Sequence, residues 1–207
     1  MAKFPEPPAQ LAAIPPKIRT LPSGTLLWRV YFRGGKHPTL WNGFRAFGPT
    51  PGGRFDHHLP PPAGAQRRQI LYAAGHGSTC LAEVFQDTRV IDRSARDPWL
   101  VGFVLRSAVP LLDLTGSWPT RAGASMAMSS GARPRAQRWS RAIYETYPAL
   151  QGLRYPASMH GSRPAVALYE RAAPALPPSP AFHRPLLDPA LLPVLRHVAH
   201  DLGYALV

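Results

Sequence analysis

Cysteine is all but missing from this 207-residue chain: Cys80 stands alone, which excludes an internal disulfide and any zinc site built from several cysteines. Lysine is nearly as scarce, being limited to Lys3, Lys17 and Lys36. Acidic residues number 11 against 24 basic ones. No apolar run approaches the roughly 20 residues needed to span a bilayer. The N-terminal MAKFPEPPAQ has no hydrophobic signal core, so secretion by that route is not expected and a cytoplasmic protein is the simplest expectation. There is no P-loop, no GxGxxG after a strand, no GxSxG and no internal repeat. His197 and His200 lack an accompanying ligand pattern, so no metal site is expected.

What remains is a chain with 45% hydrophobic residues, enough for a sizeable core at a length that suits one domain. The net charge of +13 points first to nucleic acid. Against that, almost all of the charge is arginine, alongside abundant alanine and proline, a composition that raises arginine content by itself. Like charges form no run, and aromatic and basic residues do not alternate as on single-strand binders. An anionic small molecule or an acidic protein partner suits this charge equally.

Six prolines in residues 1–22 predict an extended arm with little regular structure, and residues 23–207 read as one domain that includes a proline-rich connector and helix over 172–207. The informative stretch runs from Trp28 to Phe85. Thr25–Phe32 alternates as a strand, with Trp28, Val30 and Phe32 on one face and Leu27, Arg29 and Tyr31 on the other. Arg29 is either a strand-end residue reaching solvent or an anion ligand in a cleft, since guanidinium grips phosphate as a bidentate fork. A long loop over 34–62 carries Arg54 directly after Gly52 and Gly53, where backbone can come close to a ligand. His57 and His58 in this loop read as exposed.

Ile70–Ala74 is a second strand, in which Tyr72 is either core with a satisfied hydroxyl or an aromatic wall for a flat ring. Gly77–Gln86 is a helix with Ser78 as N-cap and Leu81, Val84 and Phe85 as its buried stripe. Glu83 falls nearly opposite Leu81, so periodicity alone predicts a solvated glutamate unless a ligand cleft lies there. From Thr88 onward TRVID, LVGFVL, PLLDL, GLRYP and PAVALYE read as strands. A helix is expected over 135–147, with Arg135, Arg138 and Arg141 as a solvated basic stripe, and a last helix capped by Asp188 and ended by Gly203. Several β segments joined by short links predict a mixed α+β domain with a central, strongly bent or split sheet, mainly antiparallel pairs and a few flanking helices.

In order and spacing, W-R-V-Y, G-G-R-F, L-Y-A-A, C-L-A-E-V, L-L-D-L-T and G-L-R-Y-P-A-S resemble the RES-domain family over about residues 25–171. The resemblance implies a fold like that of ADP-ribosyltransferases and an enzyme that cleaves the nicotinamide–ribose bond of NAD⁺, to water or to phosphate. It also implies a place in a toxin–antitoxin pair, with an antitoxin carrying an Xre-like DNA-binding domain as partner; neither a membrane nor direct nucleic-acid binding is expected. Some members are reported to transfer ADP-ribose to a protein.

By residue, the resemblance assigns Arg29, Glu83 and Ser158 to catalysis and Arg54, Tyr72 and Ser130 to substrate binding, with Ser129 or Ser130 as the other candidates for the family serine. No metal or cofactor is implied; NAD⁺ is the substrate and phosphate a possible co-substrate. Where the family often has asparagine after the GGR-aromatic motif, this chain has Asp56. The residue types suit the chemistry. Two arginines give charge-assisted contacts to a pyrophosphate, Tyr72 offers a π face to a cationic ring, and Glu83 stabilises an oxocarbenium-like ribose. A serine hydroxyl would hold the nicotinamide amide or a ribose hydroxyl. Other readings are an ADP-ribosyltransferase acting on protein or nucleic acid and a non-enzymatic basic nucleic-acid-binding module. The enzyme requires Arg29, Arg54, Tyr72 and Glu83 around one cleft; the binder requires a continuous basic face with those four scattered.

Overall fold

Short, mostly apolar runs build the strands, and the computed structural model describes them within residues 4–61 and 64–207. In chain order these are β1 (Ile18–Leu21), β2 (Leu26–Phe32), β3 (Ile70–Ala74), β4 (Val90–Ile91), β5 (Pro98–Val104), β6 (Val109–Asp113), β7 (Gly152–Pro156), β8 (Pro164–Tyr169), β9 (Phe182–Pro185) and β10 (Ala205–Leu206). The helices are α1 (Gly77–Val84), α2 (Trp118–Arg121), α3 (Ala127–Ser130), α4 (Arg133–Thr146) and α5 (Leu192–Leu202).

One eight-stranded sheet has the order β1-β6-β7-β8-β3-β2-β5-β9, and β4 and β10 form a separate parallel pair. Within the large sheet only β6–β7 is parallel; every other neighbour is antiparallel. The protein is therefore mixed α+β, with a large mixed sheet and few helices, as the alternation predicts.

The pleat divides the core in two. Val30, Ile70, Ala74, Leu112, Leu153, Ala167 and Tyr169 pack with α1 and with Trp139 and Ile143 of α4. Leu27, Leu71, Ala73, Phe103, Leu111, Val166 and Leu168 form the other side, covered by Trp41, Phe44 and the 172–176 turn.

Several local expectations change. Residues 18–21, expected within an irregular arm, form an edge strand against β6, because Ile-Arg-Thr-Leu is a proline-free gap between Pro16 and Pro22. The rest of the described arm is fastened down: Trp139 Nε1 donates to the Pro5 carbonyl at 2.8 Å, and Tyr147 OH bonds the carbonyls of Leu11 and Ile14 at 2.8 and 2.6 Å. Arg135 and Arg138, expected to face solvent freely, both grip Glu6. Helix α1 begins at Gly77 with His76 as N-cap, so Ser78 is inside the helix rather than its cap. Asp188 caps a short 3₁₀ turn over Pro189–Leu191, and α5 follows it, ending at Gly203 with φ 66°.

His57 and His58 are fully buried, not exposed. His57 stacks on Tyr144 at 4.4 Å and its Nε2 lies 3.5 Å from Glu170 Oε2. Burial pushes the pKa of His57 below the usual histidine value, only partly offset by Glu170. For Glu170, burial opposes ionisation, but the nearby His57 ring and hydrogen bonds from the Gln69 N–H and Tyr144 OH outweigh it and hold the carboxyl at about 2.

Both shifts act in the same direction. A histidine with a lowered folded pKa contributes stability above about pH 6.5 that is lost as pH falls below it, and a carboxylate with a lowered pKa contributes stability above about pH 4.5 that is lost below it. Urea midpoints at pH 7.5, 5.5 and 4 should therefore fall in that order, and Glu170→Gln should flatten the fall below pH 4.5. Equal slopes for the two proteins would contradict this assignment.

Candidate active site

Strands β2 and β3 meet at a single register pair, Trp28 with Ala74. Beyond it they part. The Phe32 carbonyl takes the Thr39 N–H and hydroxyl at 2.8 and 3.0 Å instead of a β3 donor. At the apex of the fork, Cys80 Sγ from α1 donates to the Trp28 carbonyl at 3.0 Å. The gap is an inner lobe of about 280 Å³, bordered by Arg29, Tyr31 and Phe32 of β2, Ile70 and Tyr72 of β3, and Cys80 and Glu83 of α1. An outer lobe of about 300 Å³ is bordered by Thr50, Gly52 and Arg54 of the long loop, by Ser129 and Arg133, and by Ser158. Arg45, Tyr72, Glu83, Val84 and Tyr155 border both lobes, so the two lie side by side along these shared residues.

The fork brings Arg29 to the cleft: strand alternation sets it on the opposite face from Trp28, but where the strands separate, side chains of both faces border the opening. Its Nη1 donates to the carbonyls of Trp41 and Gly43, each at 3.0 Å, which ties down the start of the long loop. Burial lowers its pKa to about 10, so Arg29 keeps its charge at neutral pH. Arg54 borders the other lobe and donates through Nη1 to the Gly131 carbonyl at 2.5 Å. Burial and the neighbouring charge of Arg133 both lower its pKa.

Asp56 organises the loop between them. It is fully buried and accepts from Arg45 Nη2 at 2.5 Å, from the Thr50 N–H and hydroxyl at 2.8 and 3.0 Å, and from Tyr72 OH at 3.0 Å. Its charge is thus cancelled by Arg45 rather than facing the cleft. Gly53 serves the same arrangement: a Cβ there would lie 2.1 Å from Asp56 Oδ1, so this glycine makes room for a carboxylate, not for a ligand. Tyr72 combines both of its sequence readings. Its hydroxyl, which also accepts from the Phe55 N–H at 3.0 Å, is fully engaged, and the residue lines both lobes.

Glu83 is half-buried, not free in solvent. Its Oε1 accepts from the Met159 N–H at 2.9 Å and from Ser158 Oγ at 3.3 Å. Helical periodicity missed this because the covering element is remote: the 157–163 loop returns over α1 and is pinned there by a 2.9 Å bond between Thr79 Oγ1 and His160 Nδ1.

The serines separate by position. Ser158 touches Glu83 at the outer lobe; Ser129 is buried in that lobe's wall; Ser130 is exposed and borders neither lobe. Arg29, Arg54, Tyr72, Glu83 and Ser158 therefore border two adjoining lobes, Arg29 the inner, Arg54 and Ser158 the outer, and Tyr72 and Glu83 both. Sequence reading passed over Arg45, Tyr155, Tyr31 and Arg133. Tyr155 lies inside the G-L-R-Y-P motif and was within reach, whereas Arg45 and Arg133 carry no local signal.

A cleft with arginines at both ends and one hydrogen-bonded carboxylate at its middle defines an α+β protein suited to an anionic ligand with a cationic or polarised centre. The chain belongs to the RES-domain family, whose family model, described as RES domain, matches residues 26–188. That match extends past Tyr169 to include β9, which sequence reading had left outside. Among solved structures, a chain of the crystal structure of the M. tuberculosis MbcT–MbcA toxin–antitoxin complex has a similar fold. The TM-score is 0.58 at 18% identity, over 86% of this chain and 92% of that chain. No curated protein matches the sequence. Among the described residues, no helix is long and apolar enough to cross a membrane.

Proposed function

We propose that this protein cleaves the nicotinamide–ribose bond of NAD⁺, as a glycohydrolase or phosphorylase with an ADP-ribosyltransferase-like split sheet. The observation that carries the reading is Glu83, held by the Met159 N–H where the two lobes join. A dinucleotide laid across that junction has its phosphates beside Arg54 and its nicotinamide in the inner lobe, against Tyr72 and near Arg29. Glu83 then faces the nicotinamide ribose.

As the C1′–N bond breaks, its electron pair goes to the ring nitrogen and nicotinamide leaves neutral. Positive charge shifts from the ring to the ribose. The charged Arg29 disfavours a cation in the inner lobe, and the Glu83 carboxylate favours one at the ribose, so both groups act on the same displacement of charge. A water or phosphate oxygen adds at C1′, and its proton passes to solvent. Ser158 holds Glu83 in place in this reading, and Ser129, which borders only the outer lobe, would serve a ribose hydroxyl rather than the nicotinamide amide.

The gathering of Arg29, Arg54, Tyr72 and Glu83 argues against a bare nucleic-acid-binding module. So does the use of Arg45, Arg68, Arg135, Arg138, Arg154 and Arg184 in internal ion pairs. A toxin role with an Xre-like antitoxin partner follows from the family resemblance, and the similar chain from a toxin–antitoxin complex supports it. Mass spectrometry of NAD⁺ incubated with the protein in phosphate-free buffer, in phosphate, and with added cell protein identifies the acceptor. The expected products are ADP-ribose, or its phosphate ester where phosphate is present. ADP-ribosylated protein as the sole product would make it a transferase instead, and unaltered NAD⁺ in all three would overturn the reading.

A further inference from the structure

The outer lobe carries three arginines that differ in how firmly they are held. Arg45 is neutralised by buried Asp56 and also donates to the Phe47 carbonyl. Arg54 has one nitrogen on the Gly131 carbonyl. Arg133 is held least: its Nη2 lies 3.4 Å from the neutral Gln86 side chain and 3.8 Å from Asp87, whose own side chain is 81% exposed. An ion pair that long and that exposed contributes little. Two guanidinium charges, Arg54 and Arg133, thus face one cavity with Glu83 as the carboxylate on its wall.

The backbone adds to this field. Arg133 is the first residue of the 14-residue helix α4, whose N-cap Ala132 supplies no capping side chain. The positive end of that helix therefore starts at the residue that borders this wall, although Pro134 has no N–H and the Arg135 and Ala136 N–H groups are taken by the Ala132 carbonyl. Like charges on an open cavity, offset only in part by Glu83 and by the long, exposed pair with Asp87, are expected where an anionic ligand supplies the rest.

We propose that Arg133 is a substrate-binding residue that grips the pyrophosphate of the dinucleotide together with Arg54, and so selects dinucleotides over nucleosides that lack phosphate. This rests on the NAD⁺ reading, but it is testable without turnover. In calorimetry the protein should bind ADP-ribose, Arg133→Ala should weaken that binding on the order of tenfold to a hundredfold, the range for losing a charge-assisted hydrogen bond, and Arg133→Lys should recover part of it. In turnover, Arg133→Ala should raise the KM for NAD⁺ while leaving kcat, and leave cleavage of nicotinamide riboside, which has no phosphate, as in wild type.

Equal ADP-ribose affinity in wild type and Arg133→Ala would overturn the proposal, as would no ADP-ribose binding by wild type. Parallel losses on NAD⁺ and nicotinamide riboside would also overturn it, since they would mean that Arg133 only props the Gln86 end of α1. If ADP-ribose binds as expected while NAD⁺ is not cleaved, the subsite stands and the catalytic reading alone falls.

Discussion

Replacing Glu83 by Gln should lower kcat for nicotinamide release on the order of 10²–10³, the loss seen when one electrostatic stabiliser is removed, with KM little changed. The reasoning is differential. The charge that Glu83 stabilises is at the ribose only as nicotinamide departs, so its loss appears in turnover rather than in binding. Glutamine retains an oxygen to accept from the Met159 N–H and Ser158, and the buried stripe of α1 at Leu81 and Phe85 is untouched. The folded state should therefore survive, as circular dichroism can check. Equal turnover in two folded proteins would remove Glu83 from the mechanism.

Arg29→Gln should also act on turnover, by on the order of 10² if the guanidinium disfavours the cationic ring before it leaves. This departs from the role first read from sequence, where Arg29 and Arg54 share a pyrophosphate. The two arginines border different lobes, and Nη1 of Arg29 is spent on the Trp41 and Gly43 carbonyls. Those bonds also make Arg29 a brace for the loop, so Arg29→Lys, which retains the charge, is the companion variant. Lysine should recover most of kcat. A raised KM with unchanged kcat in Arg29→Gln, together with weaker ADP-ribose binding, would restore the phosphate role.

Strands β2 to β8 and the principal helices were legible because period-two and 3.6-residue patterns are local, whereas β1, β9 and β10 lie in stretches read as arm, connector and chain end. What was hidden depends on pairing between distant segments. The fork between β2 and β3 cannot be read from either strand, since each alternates normally and only their register ends at Trp28 and Ala74. Burial of His57 depends on Tyr144, Tyr169 and Glu170, which lie far along the chain. Glu83 looked solvated because its covering loop begins more than seventy residues later. Asp56 looked like a misplaced charge because its counter-ion, Arg45, sits in the same unpatterned loop. In each case the residue was visible and its environment was not.

The most direct test of the central claim is a ¹H NMR time course of NAD⁺ with the purified protein. The account predicts that free nicotinamide resonances grow while the adenosine diphosphate portion stays intact. Cleavage between the phosphates, giving AMP and nicotinamide mononucleotide, or an unchanged NAD⁺ spectrum would contradict it.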